Sequence, residues 1–129
     1  MANIDTISDS LTIIRNACAV KHQKAKIKHS KIMENIVNIL KQEGYIEDFS
    51  VENKKNIIIN LKYDLKKNSV ITEISRISKS SRREYSSVKK IPRIANGYAT
   101  VILTTPKGIL TGREARKQNV GGEVLCFVL

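Results

Sequence analysis

Tryptophan is absent, and only two prolines, two cysteines and two histidines occur in 129 residues. Each shortage closes off a class of function. Cys18 and Cys126 stand near opposite ends of the chain with no Cys-x-x-Cys companion and would close a very long loop if bridged. Both are expected to be reduced core residues rather than disulfide or zinc-ribbon partners. His22 and His29 sit among lysines at a spacing that does not suggest zinc ligation, and no nucleophile or base constellation accompanies them, so neither metal nor catalysis is expected. They read as solvated surface residues, the other reading being a phosphate contact at the corner Lys28-His29-Ser30-Lys31. Gly108 and Gly121-Gly122 lack the lysine and hydroxyl spacing of a nucleotide-phosphate loop, so no cofactor is expected. The start, Met1-Ala2-Asn3-Ile4-Asp5, is neither an apolar signal core nor an arginine-rich transit peptide. The longest uncharged run, Ile94 to Pro106, is too short to span a bilayer, so the chain is expected to stay in the compartment that makes it.

What is abundant is positive charge. Lysine and arginine number 23 against 12 acids, for a net charge of +11 and an isoelectric point near 9.8, and such an excess favours a polyanionic partner. The length suffices for one domain or two small lobes leaning on each other, which excludes larger catalytic architectures. Heavy use of isoleucine, lysine and asparagine is typical of AT-rich coding, which fits a bacterial cytoplasm or an organelle that encodes its own proteins.

The pattern predicts a mixed α/β (α+β) chain. Ile7, Leu11 and Ile14 recur at helical spacing with Cys18 closing the stripe, and Thr6-x-x-Asp9 is a capping signal at the start of that helix, Thr6 to Ala19. Lys24 to Lys28 alternates as a short strand. Ser30 can cap a second helix with the apolar face Ile32, Ile36, Ile39 and Leu40, ended by Gly44. Tyr45 to Val51 and Ile57 to Tyr63 alternate around the polar turn Glu52 to Asn56, a hairpin to pack under the two helices. The polar run Asp64 to Ser69 marks a boundary between an N-terminal α/β lobe, 1–64, and a sheet-rich C-terminal lobe with one short helix, 65–129. In that second lobe Val70 to Ser78 and Tyr98 to Thr104 read as strands. Thr111-x-x-Glu114 is a capping box, and Glu123 to Leu129 is a last strand with Val124, Cys126 and Val128 opposite Leu125, Phe127 and Leu129.

Between Arg76 and Arg93 lie seven cations, Arg76, Lys79, Arg82, Arg83, Lys89, Lys90 and Arg93, against the single acid Glu84. Ordinary exposed faces interleave both signs more evenly, so this run is expected to hold phosphates. Tyr85 within it can either stack on an unpaired base or fill the core. Thr104, Thr105, Lys107 and the amides around Gly108 form a hydroxyl-rich turn suited to base edges and 2′-hydroxyls, although Pro-Lys-Gly between strands is also an ordinary turn signal. Glu123 has a structural default role. Facing RNA, it would be tolerable only as an acceptor from base or backbone donors, where it gives discrimination rather than affinity.

Three closing motifs, Thr104-Thr105-Pro106-Lys107-Gly108, Thr111-Gly112-Arg113-Glu114-Ala115-Arg116 and Gly121-Gly122-Glu123, resemble those of the S-eight family of small-subunit ribosomal proteins. Members usually read Ser-Thr-Ser-Lys-Gly, Thr-Asp-Arg-Glu-Ala-Arg and Gly-Gly-Glu there. Asp9 to Ala17 and Glu43 to Glu47 extend the resemblance over nearly the whole chain, with Ile13 where an arginine is common. Three further departures stand out. Thr104 and Pro106 replace the two serines of the turn, and Pro106 has neither hydroxyl nor amide hydrogen. Gly112 replaces an acid that would favour the helix dipole, which predicts a weaker helix.

The resemblance implies a ribosomal, non-enzymatic protein that binds the central domain of small-subunit ribosomal RNA and helps assemble that part of the subunit. It implies contacts through Thr104, Thr105, Lys107, Gly108, Gly122 and Glu123, with Tyr85 at the place of the family's base-contacting tyrosine. Around them Lys28, Ser30, Lys31, Arg82, Lys89 and Lys90 are expected at phosphates. Neighbouring ribosomal proteins are implied as partners, and its own messenger RNA is a further ligand of the kind bacterial members bind. No membrane is involved. The alternative, a basic DNA-binding or architectural protein, should show a groove-reading helix or a zipper, which neither helix stripe offers. A small enzyme, the third class, would need turnover dependent on His22, His29 or Cys126.

Overall fold

A computed structural model describes residues 2–79 and 81–129. The chain divides into two compact units, Ala2–Glu73 and Ile74–Leu129, and among the described residues three α-helices and two antiparallel sheets give the expected mixed α+β fold.

In the first unit, helix α1 runs from Ala2 to Ala19. It begins four residues before the expected cap at Thr6, because Ala2 to Asp5 contain no proline or glycine to stop it and the Thr6-x-x-Asp9 pattern falls inside the helix. Ile7, Ser10, Leu11, Ile14 and Ala17 form its buried stripe, while Cys18 is half-buried. Strand β1 (Lys24–Lys28) buries Ala25 and Ile27 and turns its lysines outward. Ser30 then caps α2 (Lys31–Gln42), its Oγ accepting from the Met33 amide at 3.1 Å. The buried face of α2 is Met33, Ile36, Val37, Ile39 and Leu40. Met33 and Val37 add to the expected stripe, and Ile32 is only half-buried. Gly44, at φ +83°, closes the helix as the Tyr45 amide reaches back to the Leu40 carbonyl.

Strands β2 (Ile46–Glu52) and β3 (Asn56–Leu61) form the expected hairpin, with β1 on the other edge of β3. Asn53 and Lys54, both at positive φ, make the tight turn whose twist suits adjacent antiparallel strands. A bulge at Glu47 shifts the register between Ile46 and Asp48. The buried anchor of β2 is therefore Ile46 rather than Tyr45, while Phe49 and Val51 pair with the buried Ile59 and Ile57. The polar loop Asp64–Asn68 lies within this unit, pinned by the Asp64 carboxylate, which accepts from the Lys66 and Asn68 amides.

The second unit is a five-stranded sheet, β4 (Ile74–Arg76), β5 (Tyr85–Ser86), β6 (Thr100–Thr105), β7 (Gly108–Thr111) and β8 (Gly122–Val128), with helix α3 (Gly112–Lys117). Strands β4 and β5 both pair with β8, whose other neighbour is β6. The expected strand Val70 to Ser78 is shorter as a ladder. Its pairing continues through the Ile77 and Ser78 amides to carbonyls of β8, Lys79 and Arg82 bridge to each other, and pairing with β8 resumes in β5 at Tyr85. Strands β5 and β7 lie where sequence pattern gave no strand: two and four residues are too few for period-two alternation to stand out.

Ile91, Val101, Leu103, Ala115 and Val124 make the core under α3, with Ile77, Ile94, Leu110, Val120 and Phe127 packed around them. Thr111 caps α3 as expected, accepting from the Glu114 amide at 3.2 Å. Gly112 forgoes the acid favoured at that place, yet a Cβ there would sit 3.3 Å from Ile91 Cγ2, so glycine lets the first turn close down on the core. Strict alternation fails along β8. A bulge at Leu125 pairs Val124 with Leu103 but Cys126 with Ile102, neighbours on opposite faces, which is why Glu123 to Cys126 are all buried in succession.

Burial pushes the Cys126 thiol up to about 12 and also raises that of half-buried Cys18. At pH 8 only about one Cys126 in ten thousand is then thiolate, the reactive form. Alkylation followed by mass spectrometry is expected to add one label at Cys18 first, and the second at Cys126 only once denaturant opens the C-terminal sheet.

Candidate nucleic-acid interface

The start of β8 has no side chains for two residues, and two other segments approach it there. A Cβ on Gly122 would stand 2.0 Å from the Thr104 carbonyl oxygen, and one on Gly121 2.3 Å from that of Ser86. No side chain is compatible with either distance, so the glycine pair draws the end of β6 and the end of β5 to the same strand. Register does the rest. Glu123 pairs with Thr104 of β6 and with Tyr85 of β5, and Thr104 pairs with Ile109 of β7. Directly paired residues share a face of a sheet, so Tyr85, Glu123 and Thr104 form one row across three strands.

 In sequence, Tyr85 precedes Thr104 by 19 positions and Glu123 by 38, so no local motif marks the row.

Beside that row the β6–β7 turn is closed by its own hydroxyl. Thr105 Oγ1 donates to the Gly108 carbonyl at 2.8 Å and accepts from the Lys107 amide at 3.1 Å. The hydroxyl therefore shapes the turn, while Gly108, at φ +112°, supplies a backbone that other residues rarely adopt. Pro106, Lys107 and Gly108 are exposed at its tip.

Glu123 is only 9% exposed and is held from one side. Its Oε2 accepts from the Ser78 hydroxyl and from Arg83 Nη1 at 3.3 Å. The same Ser78 hydroxyl accepts from the Glu84 amide at 3.2 Å, and the Glu84 carbonyl accepts from the Val124 amide at 2.8 Å. These bonds close the neck of the basic loop. Sequence reasoning did not single out Ser78, and it took Arg83 only as one of the seven cations of the basic run. Their partner lies 45 and 40 positions away, and only the pairing of β8 with the segment before β5 brings them to it.

Tyr85 is 70% exposed, which removes the core reading: the ring lies on the surface. The expected cations of this unit are exposed as well, Arg82, Lys89 and Lys90 flanking Tyr85 along the chain, the lysines in a single 3-10 turn, Val88–Lys90. Arg82 pairs with Glu84 at 3.2 Å and Arg83 with Glu123, so the two nearby acids each take one arginine. Among the described residues no ion pair engages Lys79, Lys89, Lys90, Arg93 or Lys107.

Lys28, Ser30 and Lys31 belong to the first unit, at the corner between β1 and α2. There Ser30 is occupied as the helix cap and His29 pairs with Glu34 at 2.7 Å, leaving the two lysines exposed. His22 is bonded through its backbone, its carbonyl accepting from the Tyr63 hydroxyl and its amide donating to the Ala17 carbonyl. Among the described residues no group of three or more histidine, cysteine or carboxylate side chains is placed to hold a metal, and no helix is long and apolar enough to cross a membrane.

The family model for ribosomal protein S8 matches residues 5–129. This chain belongs to that family. It is accordingly a structural, non-enzymatic component of the ribosome, with ribosomal RNA binding a general property of the family. Curated relatives named small ribosomal subunit protein uS8 match over their full lengths. The one from Gloeothece citriformis is 48% identical, that from Rubrobacter xylanophilus 47% and that from Borrelia garinii subsp. bavariensis 46%, each aligned over 99% of both chains.

The glycine pair brings the candidate residues of three strands together. Gly122→Ala is expected to cost about 1–3 kcal/mol, the usual range for forcing extra atoms into a filled site. Urea unfolding of the full chain measures it. A loss below about 0.5 kcal/mol, the ordinary surface value, would show that β6 and β8 do not need this close approach.

Proposed function

We propose that this protein, a structural component of the small ribosomal subunit, binds the central domain of small-subunit ribosomal RNA directly and helps order that part of the particle. The observation that carries this reading is the row Tyr85–Glu123–Thr104 beside the exposed turn Thr105–Gly108, flanked by Lys89 and Lys90, which no ion pair engages among the described residues. A ring, an acceptor and short hydroxyls on a sheet can read unpaired bases and 2′-hydroxyls, while lysines around them bind phosphates. Thr104, Thr105, Lys107, Gly108 and the backbone at Gly122 face the RNA in this reading, with Glu123 accepting from a base and Tyr85 stacking on one.

Affinity and specificity then come from different residues. Arg82, Lys89 and Lys90, with Lys28 and Lys31 from the N-terminal corner, supply salt-sensitive attraction; Ser30 sits in that corner as the cap that fixes it. The C-terminal lobe carries the recognition. Messenger RNA folded like the ribosomal site would fit the same surface, the protein's own message included, and other ribosomal proteins bind around it.

Titration against a central-domain fragment of small-subunit ribosomal RNA and a length-matched random duplex, at two salt concentrations, tests the reading. Tight binding to the fragment that survives added salt is expected. Thr105→Val and Glu123→Ala are each expected to weaken it about tenfold, as for loss of one hydrogen bond involving a charged or turn-fixing group. Equal, salt-steep binding to both RNAs would leave a basic protein without recognition and end the assignment.

A further inference from the structure

We propose that Ser78 and Arg83 are positioning residues, which fix the Glu123 carboxylate so that its second oxygen is presented to a donor edge of an unpaired base. The inference rests on the reading of Glu123 as RNA-facing and goes beyond it by naming what aims the acceptor.

Both protein donors converge on one atom. Ser78 Oγ and Arg83 Nη1 each donate to Glu123 Oε2, and among the described residues no hydrogen bond or ion pair engages Oε1. A carboxylate has about four acceptor sites, so a group held in this way keeps roughly half of its capacity for a ligand. The anchor is rigid. Ser78 is 1% exposed, and its hydroxyl also takes the Glu84 amide, so the serine cannot turn away without opening the neck of the loop. Arg83 stands at the end of that loop with its side chain one-third exposed, close enough to solvent to be mistaken for a phosphate contact, but its guanidinium faces inward to the carboxylate.

The arrangement has a consequence for selectivity. A free glutamate beside phosphates could swing toward a lysine or out into water. One held at Oε2 offers a fixed acceptor that rewards amino and imino hydrogens and repels carbonyl oxygens and ring nitrogens. A site built to receive a particular donor discriminates strongly against partners lacking it, because the buried group is then left unpaired. The same two residues tie that acceptor to the base of the cationic loop, so phosphate binding and base reading share one support.

A double-mutant cycle separates positioning from direct contact. The full chain and the variants Ser78→Ala, Arg83→Met and Arg83→Lys, each with and without Glu123→Ala, are titrated against the central-domain fragment and the random duplex at two salt concentrations. Ser78→Ala and Arg83→Met are each expected to weaken fragment binding about tenfold when Glu123 is present and less than about twofold when it is absent, since residues acting through one group lose their effect with it. The salt slope should be the same for Arg83→Met as for the parent, and Arg83→Lys should not restore full binding, because the contact is a single Nη1 donor at 3.3 Å on a branched guanidinium, whose place a compact ammonium on a different stem does not take. Equal losses in both Glu123 backgrounds, a slope shallower by about 0.7–0.9, or full binding by Arg83→Lys would each make Arg83 an ordinary phosphate ligand and overturn the proposal. The Arg83 variants alter a partly exposed side chain and keep the test decisive if Ser78→Ala fails to fold. A parent chain that does not prefer the fragment at all defeats the broader RNA reading as well, whereas preference with additive losses defeats positioning alone.

Discussion

Backbone closeness at the start of β8 governs the candidate interface. The Thr104 carbonyl would lie 2.0 Å from a Cβ on Gly122, and the Ser86 carbonyl 2.3 Å from one on Gly121, so three chain segments meet where side chains would ordinarily hold them apart. Every candidate RNA-reading group of the C-terminal unit follows from that meeting. The β6 end brings Thr104 and Thr105, the β5 end brings Tyr85, and β8 itself contributes Glu123 from between them. Sites built on strands hold their geometry better than sites on loops, and here the reading groups are in strands or in a two-residue turn between strands.

Electrostatics at this end of the molecule work by separation. A protein of net charge +11 has no difficulty attracting a polyanion; the harder requirement is to keep one acid usable among so many cations. Left exposed, Glu123 would pair with whichever lysine came nearest, gaining little and reading nothing. Burial removes it from that competition, and Ser78 and Arg83 compensate the lost hydration. Arg82 and Glu84 pair where exposure makes the pair weak.

Much of this was legible in sequence, but unevenly. Amphipathic helices, the Ser30 and Thr111 caps and the β2–β3 hairpin show in local pattern because their physics is local: a cap acts three residues away, and a strand alternates with itself. Period-two reasoning failed at Glu47 and Leu125, where single-residue bulges invert the faces, and a bulge depends on the partner strand rather than on the sequence around it. Family resemblance marked Tyr85, Thr105 and Glu123 as a set, while composition left Tyr85 divided between core and surface until its exposure settled it. Ser78 and Arg83 were invisible as partners of Glu123, since nothing local distinguishes them from the other serines and arginines of the basic run. Gly122 was read as a possible RNA contact, whereas the distances of Gly121 to Ser86 and of Gly122 to Thr104 give the pair a structural necessity of its own.

Pro106 illustrates how a departure from the family pattern can be absorbed. The family's second serine would offer a hydroxyl and an amide at the tip of the β6–β7 turn, and proline offers neither. The turn nonetheless closes, because its bonds come from Thr105 Oγ1 to Lys107 and Gly108 on either side and none needs residue 106. What proline supplies instead is a fixed φ near −65°, so the turn has fewer conformations to lose when RNA binds. A lost contact lowers affinity by the worth of one hydrogen bond, while a stiffer turn reduces the ordering cost by a comparable amount. In the proposed reading the exchange moves this part of the surface from making a contact toward presenting its neighbours, Thr104, Thr105 and the exposed side chain of Lys107.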